Sequence, residues 1–204
     1  MNEALLKVDR VSKSFGGFAA LSEVSVAVRE GERFGLIGPN GSGKTTLINC
    51  VSGSLRNDGG SIAFSGEEIS RLPAYQRTRR GIARTFQVPR PFSSMPVLEN
   101  LIVPLEFVVH RHSLHKADTR GEAMAILETI GLADKAATPS NRLSQVELRK
   151  LELARAMAAR PRLLISDEAM AGLAGAEVDE VLAILFKLNE AGITIIMIEH
   201  IMQA

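Results

Sequence analysis

Cysteine is nearly absent from this 204-residue sequence, which has a single one, Cys50. One thiol excludes an internal disulfide framework and fits a reducing compartment, where Cys50 reads as a small buried side chain at a helix end. A dominant charge is missing too, since 24 Lys plus Arg against 23 Asp plus Glu leave a net +1. No global field argues for nucleic acid or an anionic membrane as partner. Long hydrophobic runs are also lacking. The longest, such as "ITIIMI", fall far short of the roughly 20 residues that span a bilayer. The start, "MNEALLKVDRV", has an early acidic residue and no apolar core, which excludes a signal peptide. Internal repeats and low-complexity segments are absent. Any membrane association is therefore expected to come through a partner.

What is present is the balance of a folded domain, 46% hydrophobic and 23% charged, long enough for one core with a smaller insert. Leu5–Val11 and Val24–Glu30 alternate apolar and polar residues, as half-buried antiparallel strands do. Arg33–Gly38 is a denser apolar strand running into a glycine-rich loop, and Thr45–Gly53 reads as a helix closed by glycine. "GSIAFSG" and "IARTFQ" are further strand candidates, with "PAYQRTRRG" a short basic helix between them. From about Val88 to Arg160 helical segments dominate: "PVLENLIVPLEFVV", "GEAMAILETIGLADKAA" and "LRKLELARAMAAR". The strand signal returns at Leu163–Glu168. A helix follows, with Val178, Val181, Leu182, Leu185 and Leu188 on one face, and then the apolar strand "ITIIMIEH". The expectation is an α/β fold with a mostly parallel sheet and an inserted all-helical subdomain.

"GPNGSGKT" fits G-x-x-x-x-G-K-[ST] between a strand and a helix. A chance match in a chain this long is on the order of one in a hundred. The residue types follow from the chemistry of a phosphate site. Gly38, Pro39, Asn40, Gly41, Ser42 and Gly43 form a loop whose amides can turn inward, the glycines sparing them Cβ interference. The helix N-terminus adds its positive dipole end. Lys44 supplies a point charge between β- and γ-phosphates, Thr45 offers a hydroxyl to Mg²⁺, and Thr46 follows on the helix. A second element ends the apolar strand "LLISDE" with adjacent carboxylates. Asp167 suits a magnesium shell and Glu168 suits a general base acting on water.

With "ARTFQ" and "MIEH" added, nearly the whole chain resembles the nucleotide-binding subunits of ABC transporters. The phrases "FGGFAAL", "GIARTFQVPRPFSSMPVLENL" and "LELARAMA" are most similar to the ATPases of branched-chain amino acid importers. The resemblance implies a P-loop NTPase core of ABC ATPase type with an antiparallel β subdomain and an inserted all-helical subdomain. Residues 1–87 would form the first part of the core, 88–160 the helical subdomain, and 161–204 the rest of the core. Because further strands and a helix usually follow, the ending "EHIMQA" reads as truncated.

The resemblance also implies that Phe15 stacks on adenine, Gln87 ligates Mg²⁺ and senses the γ-phosphate, and His200 hydrogen-bonds the γ-phosphate. "LSQVE", Leu143 to Glu147, aligns with the signature loop, which completes the ATP site of an opposing subunit. Ser144, Val146 and Glu147 would then serve a partner's nucleotide, with Lys150 in the usual basic position. Gln145 and Val146 replace two glycines, and a β-branched side chain at Val146 is expected to crowd the phosphate. Ala169, Ser166 and Ala174 depart from the pattern as well.

Two readings therefore stand. The first is an ATP-hydrolysing subunit on the cytoplasmic face of the membrane, working with permease subunits as a homodimer or heterodimer and contacting no nucleic acid. The second is a degenerate cassette that binds ATP as a regulatory scaffold. The histidines of "HRHSLH" (His110, His112 and His115) lack zinc-site spacing and a nearby carboxylate and read as solvated loop. Arg77, Arg79 and Arg80 read as the solvated basic face of a short helix.

Overall fold

A computed structural model describes residues 4–110 and 118–199. The first two strands, β1 (Ala4–Phe15) and β2 (Phe18–Arg29), pair antiparallel around a two-residue turn, with Phe15 opposite Phe18. Both turn residues, Gly16 (φ 52°) and Gly17 (φ 90°), have left-handed backbones, the type I′ geometry that matches strand twist. Strands β4 (Gly59–Phe64) and β5 (Glu67–Glu68) complete an antiparallel sheet in the order β2-β1-β4-β5. The second sheet is parallel and contains β3 (Arg33–Ile37), β6 (Ile82–Arg84), β7 (Leu163–Asp167) and β8 (Thr194–Glu199), in the order β3-β8-β7-β6. Its strands share one direction, so their carboxyl ends converge on one edge, where ligands of open α/β sheets bind.

Alternation along β7 divides the core. Leu163 and Ile165 join a cluster with the antiparallel sheet and with Leu47, Ile48 and Val51 of α1 (Lys44–Ser52). Leu164 faces the other way, into the cluster formed by helices α3 (Val97–Pro104), α4 (Thr119–Ile130), α5 (Gln145–Met157) and α6 (Gly175–Glu190). β7 is thus buried on both faces, which is why its sequence is a continuous apolar run. On α6 the buried face is Val181, Ile184, Leu185 and Leu188. Val178 and Leu182 are only half-buried.

Three elements are shorter than their sequence suggests. "PVLENLIVPLEFVV" breaks where Pro104 ends α3, because proline has no N–H to continue the ladder. Leu105–Val109 then winds as a π-helix, with the His110 amide bonding the Leu105 carbonyl at 2.8 Å. Helix α4 stops at Gly131 (φ 75°) instead of running through "GLADKAA". β6 pairs only through Arg84, after which the chain leaves the sheet edge toward the site. A fourth difference is larger. Arg77 of α2 (Ala74–Arg79) is 1% exposed and not part of a solvated basic face. Its guanidinium donates to the carbonyls of Cys50 (2.6 Å), Val51 (2.9 Å), Leu72 (2.9 Å) and Ser70 (3.0 Å). The carbonyl end of α1 supplies the negative dipole that accommodates the buried cation. Burial nonetheless lowers the pKa of Arg77 from the free guanidinium value. Cys50 is fully buried beneath it, as expected for a structural thiol.

Candidate functional site

Four chain segments meet at the carboxyl edge of the parallel sheet. β3 feeds the loop 38–43, which turns through left-handed glycines at Gly41 (φ 80°) and Gly43 (φ 88°) and delivers Lys44 as the first residue of α1. Gly43 has no room for a side chain, since a Cβ there would stand 2.6 Å from the Ala20 carbonyl oxygen of β2. The loop is therefore pressed directly on the hairpin. Lys44 is buried, and its ammonium donates to the carbonyls of Gly38 (2.6 Å) and Pro39 (2.8 Å) and reaches Ser42 Oγ at 3.5 Å. Loop carbonyls and a side-chain hydroxyl thus hold the cation at the mouth of the loop.

β7 ends with the acidic pair. Asp167 is buried and bridges Arg84, with Nη2 2.5 Å from Oδ2, while Arg84 Nη1 reaches Asn49 Oδ1 on α1 at 2.5 Å. The Asp167 amide donates to Thr85 Oγ1 at 3.3 Å, and the Thr85 amide donates to the Ile165 carbonyl at 2.9 Å. Glu168 has φ 46°, a left-handed conformation that costs a non-glycine residue energy and persists only where the surroundings enforce it. Its amide donates to the Ile198 carbonyl at 3.1 Å, and its carboxylate accepts from Gln87 Nε2 at 2.5 Å.

A cleft of ≈ 520 Å³ joins these parts. Its walls are Phe15, Phe18 and Ala20 of the hairpin, residues 40–46, Gln87 and Glu168. Gly38 and Pro39 hold Lys44 through their carbonyls, and Asp167, the last residue of β7, does not line the cleft. Phe15 is 49% exposed on the wall, with Lys13 Nζ 5.6 Å from its ring centroid, so it is not core filling near the hairpin. Phe18, 68% exposed on the same wall, was not singled out from the sequence, although its place opposite Phe15 in "FGGF" was the available signal.

Ser144, Val146 and Glu147 do not line this cleft. They begin α5, where Ser144 Oγ accepts from the Glu147 amide (3.3 Å) and the Glu147 carboxylate accepts from the Ser144 amide (2.8 Å). This is a reciprocal capping box. The Ser144 amide bond is the largest influence holding the Glu147 carboxyl below the usual carboxylate range. Val146 is half-buried and packs against the helical core. Lys150 pairs with Glu180 at 2.7 Å. His200, His112 and His115 lie outside the described residues. His110 does have a carboxylate beside it, with Nε2 3.0 Å from Glu122 Oε2, a pair that also engages Arg160. Among the described residues, no group of three or more His, Cys, Asp and Glu is arranged to hold a metal ion unaided.

Two arginines escaped the sequence reading. Arg84 lay inside a strand candidate, and Arg149 lay inside an amphipathic helix. Their importance depends on contacts across 83 and 62 residues of chain, to which no local pattern points.

An α/β core with a glycine loop at the end of one parallel strand and a carboxylate pair at the end of another is a P-loop nucleoside triphosphatase. Comparison with known proteins narrows the class. The ABC transporter family model matches residues 21–171. The high-affinity branched-chain amino acid transport ATP-binding protein BraF of Pseudomonas aeruginosa is 38% identical over 219 residues, covering 100% of this chain and 84% of BraF. Among solved structures, the ADP conformation of MJ1267, an ATP-binding cassette of an ABC transporter, is similar with a TM-score of 0.87 at 33% identity. That match covers 98% of this chain and 82% of the other. A dimeric post-hydrolysis state of the cassette MJ0796, bound to ADP and Pi, gives 0.83 at 26% identity, covering 95% and 87%. The chain belongs to the ABC transporter family of ATP-binding cassettes.

Proposed function

We propose that this cassette binds and hydrolyses ATP to power an importer of branched-chain amino acids or similar small solutes. The observation that carries the reading is the single cleft uniting residues 40–46 with Gln87 and Glu168. Loop amides and Lys44 take the triphosphate, and Phe15 stacks on the adenine. Glu168 accepts a proton from the attacking water while Gln87 orients it. His200 is assigned to the γ-phosphate by resemblance alone.

Magnesium suits the donors available. Thr45 hydroxyl and Gln87 amide oxygen line the cleft as hard oxygen donors. Asp167, buried and paired with Arg84, would reach the ion through water. So few direct ligands match an ion that keeps waters and phosphate oxygens in its shell. When bound, it neutralises charge on the β- and γ-phosphates. The division into residues 1–87, 88–160 and 161–204 is consistent with the helical stretch between two parts of the sheet.

Two cassettes in a head-to-tail dimer, identical or related, would each offer Ser144, Val146 and Glu147 to the partner's nucleotide. The dimeric structure of MJ0796 supports association, and relatives that are transport ATP-binding proteins favour permease subunits as partners. Among the described residues no helix is long and apolar enough to cross a membrane. The cassette would then sit at the cytoplasmic face through the permease. The scaffold alternative, motivated by Val146 and Ala174, draws no support from the relatives.

Calorimetry with Mg²⁺ and ATP on the wild type and Lys44→Ala tests the reading. Binding and turnover by the wild type, with both lost in the variant, are expected. A folded wild type that ignores Mg²⁺–ATP would overturn the proposal.

A further inference from the structure

The guanidinium of Arg149, one turn into α5, spans two loops at once. Nη1 donates to the carbonyls of Phe86 (3.3 Å) and Gln87, and Nη2 donates to the Ala171 carbonyl at 3.1 Å. Both loops touch Glu168. Gln87 does so through its side-chain amide, and Ala171 through its backbone amide, which bonds the Glu168 carbonyl at 3.1 Å. The same helix face grips the first loop again. Glu152, buried, accepts from the Arg90 amide, and Arg155 donates to the Arg90 carbonyl at 2.8 Å. A planar fork with donors on both arms can join two separate carbonyl groups, whereas a lysine ammonium acts as a point charge on a flexible stem.

Glu168 needs such support. Its left-handed backbone is strained and persists only if its neighbours over-determine it. Clamping the segments on either side removes the freedom to relax. The helix that holds the clamp begins at Ser144, the end assigned above to a partner's nucleotide. Burial lowers the pKa of Arg149, while Glu152, Glu168 and Glu199 oppose that shift, so the cation lies in the field of the acidic edge.

We propose that Arg149 is a positioning residue for Glu168, fixing the catalytic turn from both sides and tying its aim to the signature end of α5. This rests on the reading of Glu168 as the general base. It makes one side chain the mechanical link between the site a cassette completes in its partner and the carboxylate it uses itself.

Hydrogen exchange and steady-state kinetics on the full-length chain test the link. In Arg149→Ala, amides of residues 85–92 and 169–173 should exchange faster while the hydrophobic clusters stay protected. ATP affinity should be unchanged, and kcat should fall about 100-fold, the scale of a misplacement near 1 Å. Arg149→Lys, able to hold one loop, should give an intermediate kcat. Gln87→Ala combined with Arg149→Ala should be slower than Gln87→Ala by much less than the Arg149→Ala effect alone, because part of that effect passes through Gln87. Unchanged exchange in either loop, full turnover in Arg149→Ala, or strict additivity with Gln87→Ala would overturn the proposal. Exchange does not depend on turnover. A wild type without ATPase activity would therefore sink the functional reading while the exchange result still judged the clamp.

Discussion

The side-chain amide of Gln87 donates to the carboxylate of Glu168 at 2.5 Å, although 81 residues of chain separate them. The contact joins the end of the edge strand β6 to the end of the central strand β7, so the parallel register of the sheet creates it. Replacing Glu168 with Gln keeps an oxygen for Gln87 to bond but removes the base. Glu168→Gln is expected to retain Mg²⁺–ATP binding and thermal stability while turnover falls about 10²- to 10⁴-fold. Calorimetry and phosphate release measure the two quantities, and wild-type turnover in this variant would contradict the role of Glu168.

Gly43 is expected to tolerate no side chain. Its φ of +88° disfavours any other residue, and the obstacle to a Cβ is a backbone oxygen of β2 that cannot swing aside. Gly43→Ala should shift the loop against the hairpin and cost about 1–3 kcal/mol of stability. ATP affinity should drop together with the denaturation midpoint. An alanine variant with unaltered nucleotide affinity would show that the loop is not held by this contact.

Arg77 carries the largest predicted stability loss. Arg77→Ala leaves four buried or half-buried carbonyls without their donor and should destabilise by about 3 kcal/mol. Arg77→Lys should recover little, because one ammonium cannot span the same four oxygens. Urea midpoints at constant slope report the change, and a loss under about 0.5 kcal/mol, typical of surface sites, would mean the bonds are dispensable.

Acid should loosen the signature end of α5 through Glu147. Its carboxyl pKa is depressed in the folded protein, chiefly by the Ser144 amide, so the unfolded chain binds the proton more readily. The resulting stability is complete above the usual carboxylate range and is lost as pH falls through the lower, folded-state value. Amide exchange at residues 144–148 should therefore stay slow through mildly acidic pH and quicken only below that range. Glu147→Gln should flatten the dependence. An acid response that survives this substitution would assign it to another group.

Much of the site was legible because its chemistry is local. The phosphate loop needs its glycines, lysine and threonine within eight consecutive residues, and β7 announces its burial by an unbroken apolar run ending in two acids. What stayed hidden is non-local. Arg77 looks like its solvated neighbours Arg79 and Arg80 until the carbonyl end of α1 is set beside it. Arg149 has the spacing of any helical basic residue, and only the folded chain brings Gln87 and Ala171 to its two arms. The packing of Val146 against the helical core was hidden as well, because a residue type shows its bulk but not which neighbours it meets. Pro104 was visible, but helical residues on both sides masked its effect on the hydrogen-bond ladder.

The two bonds from Arg77 to the Cys50 and Val51 carbonyls, at the tail of α1, have a bearing on motion. A helix clamped at its far end cannot absorb a tug on its near end by sliding along its axis. Force generated where the loop meets a phosphate would pass through α1 into α2, which abuts β6, and so reach the chain that leaves that strand toward Gln87. The buried cation would then act as a rivet, turning a short rigid rod into a lever arm whose output returns to the cleft at Gln87.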